Sequence, residues 1–247
     1  MRTYRQIASK GLKTKVMMEE PLLRPFIPHT AWLTKRGLYQ MLGIFPTVFV
    51  KPDKGGGGAG IVRIQRTING YQICFQKRCR EVDRKGLYRD LESVLLPHKR
   101  YLMQEGVHLA TIDSRPFDVR VLLQKPGHQW VISGMVAKLA APRRFVTNHC
   151  KGGTPVALEQ ALERMKGIPA QPAHILEELK RVSLLTAQVL DTRFPGIREL
   201  GLDVGIDRRG RLQVIEVNTR PQFQMFSKIR VPGVYKKILQ RHRQVTN

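Results

Sequence analysis

The sequence predicts an α+β fold. Two observations carry that prediction: short apolar or β-branched runs come in adjacent pairs joined by tight turns, and helical segments fall between those pairs. With 42% hydrophobic residues in 247, there is ample apolar material for a sizeable core.

Taken in order, a helix is expected around Lys13 to Glu20, punctuated by Pro21, Pro25 and Pro28, and a short one near Thr34 to Leu42. Thr47-Val48-Phe49-Val50-Lys51 reads as a strand stopped by Pro52, followed by Gly55, Gly56, Gly57, Gly58 and Gly60. Ile61 to Ile64 and Tyr71 to Phe75 are strands separated by a turn at Asn69-Gly70. Residues 87–96 read as a helix, and Tyr101 to Gln104 as a strand closing on Glu105-Gly106. From Phe117 to Leu123, period two sets Phe117, Val119 and Val121 on one face and Asp118 and Arg120 on the other. Trp130 to Ala137 is a strand, and Lys138 to Thr154 reads as irregular. Ile175, Leu179, Val182 and Val189 share a helical face between about Pro172 and Asp191. The last predicted pair is a hairpin, Leu202 to Ile206 and Leu212 to Asn218, turning at Asp207-Arg208-Arg209-Gly210.

Composition narrows the function classes. Lys and Arg number 43 against 19 Asp and Glu, a net charge of +24, which implies a negatively charged partner. From Val217 to Asn247 there is no acidic residue, and Lys228 to Arg243 is strongly basic. Charge alone leaves nucleic acid, anionic lipid and acidic protein open. Aromatic residues are 7%, with no aromatic-rich stacking motif, which weighs against specific nucleic-acid readout. No window approaches the ~20 apolar residues of a membrane span, and the basic start runs into no apolar stretch or small-residue cleavage site, so a cytoplasmic protein is expected. Cys74, Cys79 and Cys150 make an odd number without a C-x-x-C pair, and reduced, inert thiols are expected.

Two constellations carry chemistry. Gly55, Gly57 and Gly60 spell G-x-G-x-x-G, but a strand follows rather than the helix a dinucleotide site needs. The G-K-[ST] of a Walker loop and the H-R-D and D-F-G motifs of a protein kinase are absent, and Lys51 precedes the loop. What remains is a glycine hairpin whose bare N–H groups can approach phosphate oxygens, with a strand-borne lysine beside it. In the last hairpin, Glu216 and Asn218 are two apart and point to one face, and Asp203 lies on the paired strand. Two carboxylates and an amide oxygen form an all-oxygen set suited to Mg²⁺.

Lys51-Pro52 before the glycine loop, Met103-Gln104-Glu105 closing a strand, Phe117-Asp118-Val119-Arg120 and Ile215-Glu216-Val217-Asn218 occur in the order and spacing of the ATP-grasp superfamily. Over nearly its whole length the chain resembles the YheC/YheD family of endospore-coat-associated proteins, and its C-terminal part is similar to the ribosomal-protein glutamate ligases. The resemblance implies ATP and Mg²⁺ clasped between two lobes, residues 1–106 with the glycine loop and 107–247 with the metal site. It implies that Lys15 (with Lys10 and Lys13 as alternatives), Lys51, Gly56, Gly57, Gly58, Gln104, Glu105, Val107, Asp118 and Asn148 bind the nucleotide. Asp203, Glu216 and Asn218 would hold magnesium, and Lys138 would contact phosphates. Arg120, together with Arg143 or Arg144, is a candidate for holding an acyl phosphate or carboxylate. The implied activity is that of an ADP-forming carboxylate–amine or thiol ligase. Lys15 stands near the start, so no preceding acceptor-binding domain is expected. An acidic protein or polymer acceptor is the expected partner, with the endospore coat as a second location. Nucleotide-dependent binding or coat assembly without turnover is the alternative.

Overall fold

The computed structural model describes residues 4–76, 78–141, 153–165, 168–229 and 231–246. They divide into two units: Ser9–Gly11 with Pro28–Gly106, and Met1–Ala8 and Leu12–Ile27 with Val107–Asn247. Residues 12–27, placed with the first lobe by the sequence reading, thus group with the C-terminal half.

The Pro28–Gly106 unit is built on a six-stranded antiparallel sheet. Its strands are β1 (Thr30–Trp32), β2 (Thr47–Pro52), β3 (Val62–Thr67), β4 (Gly70–Phe75), β5 (Arg78–Val82) and β6 (Tyr101–Glu105), in the order β1-β6-β2-β3-β4-β5. Its helices are α2 (Lys35–Ile44) and α3 (Leu87–Glu92), α1 (Lys10–Glu19) being the helix that precedes them in the chain. Thr34 starts α2 by accepting a bond from the Gly37 amide, and Leu38, Met41 and Leu42 form its buried stripe. That stripe packs with Leu87 and Leu91 of α3 on Val48, Val50, Val62, Ile64 and Ile73. The opposite face carries Phe49, Lys51, Arg63, Cys74 and Gln104, as period two requires. The helix expected over 87–96 ends at Glu92, and the strands β1 and β5 were not anticipated.

The expectation of reduced cysteines fails for two of the three. Cys74 and Cys79 form a disulfide. They are directly paired residues of the β4–β5 hairpin, a closeness that cysteine parity and C-x-x-C spacing do not report. Cys150 lies outside the described residues.

In the second unit the sheet order is β10-β9-β8-β11-β12, with β7 (Thr111–Ile112) paired to β8. The strands are β8 (Arg115–Gln124), β9 (Val131–Leu139), β10 (Thr154–Ala157), β11 (Glu199–Ile206) and β12 (Leu212–Asn218). On one face, α4 (Leu158–Arg164) and the 22-residue α5 (Pro172–Arg193) bury Leu158, Leu162, Ile175, Leu179 and Val182 against Val119, Val121, Leu202 and Val204. On the other, Phe226 and Ile238 pack on Leu122 and Val136. Ile238 belongs to α6 (Val234–Thr246), a basic helix that the sequence reading left without an element. His242 of α6 is 2.9 Å from the buried Glu199 carboxylate, which also accepts from Gln124 at 2.7 Å.

Candidate functional site

In the first unit, β2 and β3 are the two stems of the glycine hairpin, paired from Thr47↔Gln65 to Val50↔Val62. Gly57 and Gly58 take φ of +64° and +69°, conformations open to glycine at little cost. A Cβ at Gly55, Gly56 or Gly57 would meet nothing within 4 Å, so these glycines are not required by packing and leave their backbone accessible. The root of the loop is tied down. Asp53 accepts from the Ser9 hydroxyl and the Gly11 amide, both at 2.8 Å, and Lys10 Nζ donates to the Gly55 carbonyl at 2.7 Å. Sequence reasoning missed this anchor, because Ser9 and Asp53 are far apart in the chain.

Lys51, one residue before the end of β2, is buried and donates to Gln104 Oε1 at 2.5 Å. Gln104 Nε2 in turn donates to Thr30 Oγ1 at 3.2 Å. Two residues proposed to bind the nucleotide are therefore in contact across paired strands, with Glu105 next in β6, opposite Val48. Val107 follows Gly106 and opens the second unit.

The second constellation lies on β8, β9 and β11. Asp118 pairs in register with Lys138, and Arg120 with Asp203. Arg120 grips Asp203 with two bonds, Nε to Oδ1 at 2.7 Å and Nη2 to Oδ2 at 3.1 Å. Lys138 Nζ is 2.7 Å from Asp203 Oδ1 and 3.1 Å from Asp118 Oδ1. All four side chains are buried, Lys138 being 2% exposed. Burial alone would raise the Asp203 pKa, but Arg120 and Lys138 hold it well below the usual carboxylate range. Burial alone would likewise lower Lys138, and the Asp118 and Asp203 carboxylates more than offset this, so it is pushed up. Arg120 follows the same pattern, with Glu216 among the carboxylates that hold its charge.

Glu216 lies directly opposite Asp203. A β-bulge shifts the register between Asp203 and Val204, and it has a clear consequence. Val214 and Val217 both stay in the core although they are three apart, while Glu216 and Asn218 are half-buried on the other face. Gly201 and Gly205 flank Asp203 on β11. A Cβ at Gly201 would come 2.6 Å from Pro221 Cβ and 3.3 Å from Arg120 Nη1, so glycine is what lets the arginine approach.

α1 sets the early lysines in different surroundings. α1 begins at Lys10, and its spacing turns Lys15 to solvent, 74% exposed and 3.8 Å from Glu19 one turn on. Lys13 instead is buried with Met17, its Nζ donating to the Ile7 carbonyl at 2.6 Å. Asn148, Arg143 and Arg144 lie outside the described residues. Among the described residues, no group of three or more His, Cys, Asp or Glu side chains is arranged to hold a metal ion. Asp203 is already shared by two cations. The oxygen donors beside it that fit a magnesium ion are the half-buried Glu216 carboxylate and Asn218 amide, which share one face of β12.

A family model described as YheC/D like ATP-grasp matches residues 5–244. The endospore coat-associated protein YheD of Bacillus subtilis (strain 168) is 27% identical over 225 residues, covering 86% of this chain and 48% of YheD. YheC of the same organism is 21% identical over 212 residues, 83% of this chain and 57% of YheC. The chain spans about half the length of these curated relatives. Among solved structures, D-cycloserine synthetase DcsG superposes with a TM-score of 0.60 at 11% identity, over 96% of this chain and 70% of its own. The ATP-grasp ligase PsnB, complexed with a phosphomimetic variant of its minimal precursor, Mg and ADP, gives 0.57 at 15%, over 96% and 58%. These structures share the fold of paired antiparallel sheets described above. With a family match that runs across nearly its whole length, the chain belongs to the YheC/D-like ATP-grasp family.

Proposed function

We propose that the protein is an ATP- and Mg²⁺-dependent ligase that joins a carboxylate to an amine or thiol. The observation that carries this reading is the glycine hairpin with Lys51 on its stem and Gln104 beside it, in a chain of ATP-grasp family. In this reaction class a substrate carboxylate attacks the γ-phosphate, ADP leaves, and the amine or thiol then displaces phosphate from the acyl phosphate. Such chemistry asks for positioned cations around the migrating group. Lys51 and the loop amides of Gly56, Gly57 and Gly58 bind phosphates, Gln104, Glu105 and Val107 take the adenine, and Asp118 takes the ribose. Lys10 or Lys13, rather than the solvent-facing Lys15, supplies the early lysine. Lys138 and Arg120 steady the transferred phosphoryl group and the carboxylate. Glu216 and Asn218, with Asp203, hold magnesium, which supplies charge neutralisation to the phosphates when bound.

The acceptor is an acidic protein or polymer. The net charge of +24 supports this, and Lys236, Lys237 and Arg243 on the exposed side of α6 add to the attraction. The names of YheD and YheC support endospore-coat association for this chain. Purified protein with Mg-ATP and poly-L-glutamate plus amine donors should release ADP. ATP binding without ADP release from any acidic acceptor favours a second reading, nucleotide-dependent coat assembly without turnover. The engagement of Asp203 by Arg120 and Lys138 is the observation that supports that alternative.

A further inference from the structure

The two edges of the sheet in the Pro28–Gly106 unit are built differently. β5 carries Arg78, Arg80 and Glu81, charged side chains of the kind that keep an edge from pairing with other chains. β1, at the other edge, is Thr30-Ala31-Trp32 and has no charge. Its pairing with β6 fixes which main-chain groups point outward. Leu33 donates its amide to the Tyr101 carbonyl, and the His29 carbonyl accepts from the Glu105 amide, so residues 29, 31 and 33 bond inward. The main-chain N–H and C=O of Thr30 and Trp32 therefore face the outer edge, and among the described residues nothing hydrogen-bonds them.

The end of this edge opens on a cavity of about 530 Å³, lined by Trp32, Leu33, Tyr88, Leu95, Leu96 and Arg100 among others, a size that accepts a bulky side chain with room around it. Trp32 is 38% exposed and Leu96 51%, large apolar groups left to solvent. The Trp32 ring is held in place. Gly11 makes room for it, since a Cβ there would come 2.6 Å from Trp32 Cη2, and the Arg100 guanidinium lies 3.8 Å from a ring centroid. Positive charge dominates the surroundings. Lys99 and Arg100 line the cavity and Lys35 Nζ lies 5.9 Å from the ring of the lining Tyr88, whereas Glu92 is the acidic residue among the lining side chains.

We propose that β1 and this cavity form a docking site for an extended acidic peptide segment, which pairs with β1 as an added strand, seats an apolar side chain in the cavity and sets its carboxylates against Lys99 and Arg100. The edge supplies main-chain hydrogen bonds to any extended chain, and the cavity and its cations select among chains. None of the lining side chains is assigned to the nucleotide or the metal, so the proposal goes beyond the ligase reading and stands without it.

The test is fluorescence anisotropy on the full chain without nucleotide, using labelled Glu-rich peptides with a central Leu, Phe or Trp. Wild type should bind at least one of them, and a copy N-methylated at alternate amides should bind about tenfold more weakly. Trp32→Ala and Arg100→Glu should each weaken binding about tenfold, and a peptide with Lys in place of Glu should regain affinity for Arg100→Glu. Leu96→Asp, at an exposed position, gives the same comparison if Trp32→Ala does not fold. Failure of wild type to bind any of the peptides, or affinities within about twofold of wild type in the variants, overturns the site. Tighter binding of a thymidine oligonucleotide that is lost in Trp32→Ala assigns the surface to nucleic acid and overturns the peptide. A dimer seen by sedimentation that Trp32→Ala abolishes assigns it to a second copy of the chain, with the same consequence.

Discussion

In the Pro28–Gly106 unit Lys51 meets the neutral amide oxygen of Gln104, whereas in the Val107–Asn247 unit Lys138 meets two carboxylates. Asp118, Asp203, Arg120 and Lys138 cancel one another's formal charge inside a buried patch, and their geometry is fixed by register on three strands. Lys51 lies on the stem of a loop with open backbone. The first arrangement sets a lysine beside open backbone, and the second locks carboxylates and cations together on one face of the sheet. The two kinds of glycine repeat the contrast, since Gly56 faces open space while Gly201 is wedged against Pro221 and Arg120.

The largest expected effect follows from breaking the neutral cluster. Asp203→Ala removes one of the two carboxylates that balance two buried cations, leaves a positive charge in excess, and should cost about 3–5 kcal/mol in urea unfolding. Were the cluster merely a surface network, the loss would stay below about 1 kcal/mol. pH sharpens the same point. Because the folded Asp203 pKa is depressed, its stabilisation is fully present above the ordinary aspartate value of about 3.9 and is lost as pH falls through the lower folded value. Lys138, pushed up, contributes fully below about 10.4 and loses its contribution as pH rises through its folded value. The stability gap between wild type and Asp203→Asn should therefore be flat through neutral pH and narrow only in acid or strong alkali. A gap that already closes near pH 6 contradicts this.

Gly201→Ala should cost about 1–3 kcal/mol through overpacking against Pro221, and Gly56→Ala less than about 0.5 kcal/mol. Thermal unfolding of the two variants ranks them directly. Lys15→Ala should be the mildest change, within about 0.5 kcal/mol in stability and without effect on ATP affinity, as its pair with Glu19 is solvent-exposed. A marked loss of ATP binding in that variant would restore Lys15 to the nucleotide site.

Much of the sheet framework was legible because period two and turn residues are local signals. The Asn69-Gly70 turn, the Asp207-Gly210 turn and the glycine hairpin all join antiparallel strands as expected. α6 was not legible, since its buried positions, Ile238 and Val245, are sparse among charged residues. The bulge beside Asp203 was also invisible, as Val214-Ile215-Glu216-Val217 reads as uninterrupted strand. Motif order brought Asp118, Lys138 and Asp203 into one set, but their mutual ion pairing depends on strand register that no spacing encodes. The Cys74–Cys79 bond required knowing that a third strand, β5, returns along β4.

Calorimetric titration of ATP, with and without Mg²⁺, into wild type and Glu216→Gln tests the account most directly. The account predicts binding that needs Mg²⁺ and is weakened by the substitution. Binding indifferent to both, or no ATP binding at all, would contradict it.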